Sequence, residues 1–174
     1  MTFSLYEAHL PVSDLHRSIE FYESLGLTFD HTIDDRIAFL WIEPGKSWLG
    51  LWLSEHANTP YHPSIRHIAL TVDIDFLRNA PNWLRERQIE PRAAFGFGPD
   101  EPFVMTHTNY AHAKLHFNDP DGNSLEFICH LSNPKRLSKK MTLLEFETLT
   151  SLQRVPFSYS IVICPRKNIC RIIR

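Results

Sequence analysis

The sequence predicts an α+β fold made of two successive βαβββ modules. Three observations lead there: an internal repeat, an amphipathic helical stretch after each copy of it, and alternating runs joined by turn-forming residues. The repeat lays residues 7–14 (EAHLPVSD) over residues 65–73 (IRHIALTVD), with His9 on His67, 58 residues apart. Ala8, Leu10 and Val12 alternate in the first copy, and Ile68, Leu70 and Val72 in the second. A period of two is that of a strand buried on one face, so each histidine belongs to the face opposite the apolar set.

The elements follow in order. After the first strand, residues 14–25 carry Leu15, Ile19 and Tyr22 at helical spacing, with Gly26 as the stop. Strand-like runs at 36–42 (RIAFLWI) and 48–53 (WLGLWL) flank the turn residues EPGK at 43–46. After the second strand, a helix spans roughly residues 75–87 with the stripe Phe76, Leu77, Ala80, Trp83 and Leu84, and stops before Pro91. Runs at 113–117 (AKLHF) and 124–129 (SLEFIC) flank DPDGN at 119–123. A polar, glycine-containing stretch at 93–111, with FGFGPDEP at 95–102, interrupts this half as a lid or a surface excursion. The modules therefore span 1–57 and 58–133, followed by a basic extension at 134–174 that holds PKRLSKK and a short helix near 141–147. Residues 152–174, with five Lys or Arg and no Asp or Glu, read as an appended peptide outside the fold argument.

Composition narrows the function. At 174 residues, 43% hydrophobic and 12% aromatic, the chain can bury a core without staples. Cys129, Cys164 and Cys170 are an odd set without a regular framework, which fits a reducing, cytoplasmic setting. The N-terminus lacks a basic segment followed by an apolar one, and no apolar run approaches the roughly 20 residues of a membrane span. A net charge of -2 and a pI near 6.5 give no field for gripping a phosphate backbone. The expected partner is a small molecule, with neither nucleic acid nor membrane.

The chemistry concentrates on the last run. Its alternation puts Leu125, Phe127 and Cys129 on one face and Glu126, Ile128 and His130 on the other. A carboxylate in mid-strand is costly to bury without a partner, and a metal ion is one of the few that suits it. His9, His67 and Glu126 would supply two imidazoles and a carboxylate, a donor set for Mn, Fe, Ni, Co or Zn that leaves positions open for substrate. His107, His112 and His130 could add ligands or shape the cavity. Cys129 shares the core face, so no protein nucleophile is evident. Trp41, Trp48 and Trp52 pack the first sheet, with Trp48 the best placed to line a cavity.

From about residue 6 to residue 136 the chain resembles the vicinal oxygen chelate superfamily, which includes glyoxalases, bleomycin-resistance proteins and extradiol dioxygenases. The likeness lies in EAHLPVSDL around His9, SIEFYESLGL at 18–27, RHIALTV at 66–72 and DPDGNSLEF at 119–127. It implies modules curling into an open barrel-like cavity around a divalent metal, commonly in a homodimer whose site draws on both chains. Exposed strand edges left by half-barrels argue for a homodimer independently. Glyoxalase I carries a further ligand on the first module's last strand, where the resemblance aligns Gly50, so four-ligand chemistry is disfavoured unless Glu55 or His56 substitutes. The nearest likeness is to fosfomycin-modifying thiol transferases, through WLGLWLS at 48–54 and LEFICHLSNPKRL at 125–137. That likeness assigns Trp48 and Arg136 to the substrate, the guanidinium suiting a phosphonate or carboxylate. His116 stands where those enzymes carry a tyrosine, and is expected to act as acid or base. The implied activity is metal-assisted addition of a low-molecular-weight thiol to an electrophile such as an epoxide. Extradiol ring cleavage and non-catalytic drug binding are the alternatives.

Overall fold

The computed structural model describes residues 4–62 and 65–151, so Cys164, Cys170 and the peptide 152–174 lie outside the described residues. The first module runs β1 (Glu7–Val12), α1 (Leu15–Ser24), β2 (Thr28–Ile33), β3 (Ile37–Glu43) and β4 (Ser47–Leu53). Asp14 caps α1 by accepting from the Arg17 N–H at 3.0 Å. Gly26, at φ +99°, lets the chain leave the helix while its N–H returns to the Glu23 carbonyl. The strands form a sheet in the order β1-β4-β3-β2, with β1 parallel to β4. One face carries Leu10, Val12, Ala38, Leu40, Leu49 and Leu51, all buried with Tyr22 of α1.

The second module repeats this plan with β5 (His67–Thr71), α2 (Ile74–Arg85), β6 (Pro91–Arg92), β7 (Phe103–Thr106), β8 (Tyr110–Asn118) and β9 (Ser124–Ser132). Here β5 runs parallel to β9, as β1 does to β4. The strand matching β2 is broken in two: β6 pairs with Phe117 and His116, and β7 pairs with residues 114 to 111 along the same edge of β8. Within the expected excursion at 93–111, residues 103–106 and 110–111 are strand, residues 107–109 turn between β7 and β8, and residues 93–102 leave the sheet. Leu77, Ala80 and Leu84 of α2 pack in one core with Leu115, Phe117, Leu125 and Phe127. Among the described residues two open sheets result, with no closed barrel.

Residues 134–151, expected as an extension, are part of this layer. Strand β10 (Met141–Thr142) pairs with β7, α3 (Leu143–Ser151) follows, and Met141, Leu143 and Phe146 are buried. The turn at 119–123 closes the β8–β9 hairpin and also docks on the first module. Tyr22 donates to Asp119 at 3.0 Å, Ser13 to Asp121 at 2.5 Å, and the Asn123 amide to the Pro11 carbonyl at 3.0 Å. Burial raises the Asp119 pKa against the pull of its hydrogen bonds from Asn123 and Tyr22. Among the described residues no helix is long and apolar enough to cross a membrane.

Candidate metal centre

Three neighbouring strands of the second sheet bring three side chains with metal-ligand chemistry to one face. His116 of β8 stands directly opposite Glu126 of β9, and β5 places Ala69 opposite Glu126, with His67 diagonal to it and opposite Ser124. The Nε2 atoms of His67 and His116 each lie 3.3 Å from Glu126 Oε2. Among the described residues these are the one group of His, Cys, Asp or Glu whose ligand atoms all fall within 4.8 Å of one another. His116 and Glu126 are buried, at 4% and 2% exposure, while His67 stands at the rim.

The arrangement fits a cation. Both ring nitrogens of His116 and Glu126 Oε2 are buried without a hydrogen-bond partner, a costly state for three converging polar atoms unless a further group engages them. Two imidazoles and a carboxylate are a donor set for a borderline divalent metal. The other oxygen, Oε1, accepts from Lys114 Nζ at 3.2 Å, which fixes the orientation of the carboxylate. Burial lowers the His116 pKa to about 4, with the positive charges of Arg92 and Lys114 acting in the same direction and Glu126 opposing. Phe103 stacks on the ring at 5.8 Å and Phe95 leans over it at 5.7 Å, which accounts for that burial. A cavity of about 530 Å³ opens here, lined by residues including His67, Arg92, Phe95 and His116.

The other expected site residues lie elsewhere. His9 is on the open face of the first sheet, where its Nδ1 accepts from Trp52 Nε1 at 2.7 Å and its ring packs edge-on against Phe39 and Trp52. Within the chain it does not join the His67 group. Its ring lies across Gly50, where a Cβ would come 2.2 Å from Nδ1, so only glycine leaves room for it. Trp48 belongs to the same face, packed against Tyr6, Phe39 and Trp41 and donating to Glu7 at 2.9 Å. Arg136 is exposed in the turn beyond β9, its N–H bonded to the Asn133 carbonyl.

Register also corrects one correspondence. His9 pairs with Gly50 as His67 pairs with Ser124, so the position matching Glu126 is Trp52 rather than Gly50. Neither side chain is a metal ligand, and Glu55 and His56 sit in the turn after β4. Lys114 was missed from sequence, although two-residue alternation from His116 would have put it on the same face.

Comparison with known proteins adds a family. A family model described as the Glyoxalase/Bleomycin resistance protein/Dioxygenase superfamily matches residues 4–127. Similar solved structures include a glyoxalase/bleomycin resistance protein/dioxygenase from Alicyclobacillus acidocaldarius, at 19% identity and TM-score 0.57, covering 73% of this chain and 91% of that one. Lactoylglutathione lyase from Agrobacterium tumefaciens matches at 15% identity and TM-score 0.53, covering 72% and 92%. The oxidase ChaP-H2 matches at 24% identity and TM-score 0.54, covering 74% and 94%. A comparison with curated proteins gives no significant match.

Proposed function

Because the chain belongs to the glyoxalase/bleomycin resistance protein/dioxygenase superfamily, we propose that it is a divalent-metal enzyme that adds an exogenous low-molecular-weight thiol to a small electrophile such as an epoxide. The observation that carries this reading is the convergence of His67, His116 and Glu126 with buried polar atoms lacking hydrogen-bond partners. In this reading His67 and Glu126 hold the metal together with His9 of a second copy, and His116 stands beside them. A bound divalent ion supplies Lewis acidity toward a substrate oxygen.

The chain's own residues do the rest. His116, with its pKa lowered to about 4, is neutral near pH 7 and a weak base, so it relays the thiol proton to the developing alkoxide and does not hold it. The sulfur bonds to one epoxide carbon, the ring C–O bond breaks, and the proton passes by way of His116 to the alkoxide. Cys129 does not compete as nucleophile, because it is buried on the opposite face and burial raises its pKa. Phe95 and Phe103 keep water from the imidazole. On the same reading Trp48 lines the substrate cavity and Arg136 meets an anionic substrate group. Arg136→Ala should then weaken turnover of anionic substrates about tenfold and retain metal. Unchanged kinetics with phosphonates and carboxylates alike would leave Arg136 a solvated residue.

A second reading, ring cleavage of a catechol, is favoured by the neutral His116 imidazole between aromatic walls, which suits proton removal from a flat phenol, and by the oxidase among the similar folds. The deciding experiment takes untagged protein purified without nickel, measures its metal content, and assays thiol–epoxide pairs aerobically. In parallel, anaerobically iron-loaded protein is given catechols and then oxygen. Thiol consumption without oxygen uptake supports the first reading, and oxygen uptake the second. Ligand binding by metal-free protein with neither activity returns the chain to drug binding.

A further inference from the structure

A second set of imidazoles lies further along the sheet face that carries His116 and Glu126. His112 of β8 stands directly opposite His130 of β9, and Met105 of β7 stands opposite His112 on the other side. The bond from the His107 N–H to the Tyr110 carbonyl, 2.8 Å, closes the β7–β8 turn and leaves His107 two residues beyond Met105, on the same face. Ring centroids are 5.5 Å apart between His107 and His112, and 5.5 Å between His112 and His130. Tyr110 stands among them, stacked on His107 at 4.6 Å and on His130 at 5.5 Å. Strands β8 and β9 and the turn between β7 and β8 thus supply one imidazole each.

We infer that His107, His112 and His130 form a second metal site, taking a borderline divalent transition-metal ion such as zinc. Directly opposed residues on one sheet face hold their Cβ atoms about 4.5–5.5 Å apart, a spacing from which two imidazoles can turn toward one ion. The third imidazole makes the set facial and leaves positions for water or an exchangeable ligand. His107 and His130 are exposed and His112 is half-buried, so the rings have room to turn from the Tyr110 ring, on which His107 and His130 stack, toward one ion. A set without carboxylates selects zinc, nickel or copper over magnesium and calcium. The site is separate from the His67 group, because residues 112 and 116 lie about 13 Å apart along β8 at roughly 3.3 Å per residue.

The test titrates metal-free, untagged full-length protein with zinc chloride by calorimetry. The expected result is two equivalents per chain, of which one survives in the H67A/E126Q variant. In that background H107A, H112A and H130A should each weaken the surviving equivalent about tenfold or more, and H112A/H130A should abolish it. His→Gln versions, with circular dichroism and a melting curve, separate ligand loss from misfolding. Zinc should also shift the imidazole nitrogen resonances of residues 107, 112 and 130 in the H67A/E126Q protein. The inference is overturned if no zinc binds once residues 67 and 126 are changed, or if the remaining binding ignores H112A/H130A. A single equivalent lost in H112A/H130A and retained in H67A/E126Q would sustain this site while removing the metal reading of the His67 group.

Discussion

His116 concentrates the electrostatic conflict at this site: an imidazole at 4% exposure, opposite a carboxylate, with neither ring nitrogen hydrogen-bonded. Its lowered pKa links it to stability. In the unfolded chain the ring takes its proton near the ordinary value of about 6.5, while in the folded chain it does so only near 4. As pH falls through that window the unfolded state binds the proton first, so folding stability is full above about 6.5 and is lost toward 4. The loss attributable to this residue is on the order of 3 kcal/mol. Urea unfolding of metal-free protein at steps between pH 7 and 4 should show that slope, and His116→Gln should flatten it. An unchanged slope in the variant would locate the acid sensitivity elsewhere. The pairing of residues 116 and 126 was legible in the sequence by counting outward from the DPDGN turn. The loss of hydrogen-bond partners was not, because it depends on Phe95 and Phe103 arriving from another strand and a loop.

At the scale of elements, legibility followed burial. Strands β1 and β5 announce themselves because one face is apolar and alternates. Strand β2 (TFDHTI) is an edge strand with almost every residue exposed, so it carries no hydrophobic period to read. Strand β6 has two residues, and β7 is set apart from it by residues 93–102. Residues 141–147 read in sequence as a short helix within the basic extension, and their spacing does not reveal that Met141 and Phe146 enter the core. The loop 93–102 is tied down at Phe95, whose carbonyl accepts from Lys140 Nζ at 2.5 Å, and its ring covers His116. Because burial is the largest cause of the lowered His116 pKa, Phe95→Ala should move that pKa upward, toward the ordinary imidazole value. A histidine NMR titration reads this directly. A pKa that stays in place would mean that Phe103 and the sheet alone exclude water from the ring.

The whole molecule poses the question of how His9 relates to the other two expected ligands. The open face of the first sheet collects His9, His31, Phe39, Trp41, Trp48 and Trp52, with Trp52 48% exposed, while the open face of the second sheet holds the His67 group. An aromatic face with a half-exposed tryptophan is poorly suited to water, and a second copy offering its own second sheet would cover it. Sequence could place both histidines on open faces but not decide which face meets which, since register is fixed within a sheet and not between sheets. If the modules pair between copies, His9 of one chain completes the site built on His67 and Glu126 of the other. A heterodimer of a His9→Ala chain and a Glu126→Ala chain then holds one intact site and one lacking both residues, so activity and metal content should return to about half those of the parent. If each site forms within one chain, every site in the mixture keeps one defect and nothing returns. The heterodimer should be isolated with two different tags, its composition verified by mass, and the tags removed before assay. Light scattering that finds only monomer at working concentration, or a verified heterodimer without rescue, would refute the shared site.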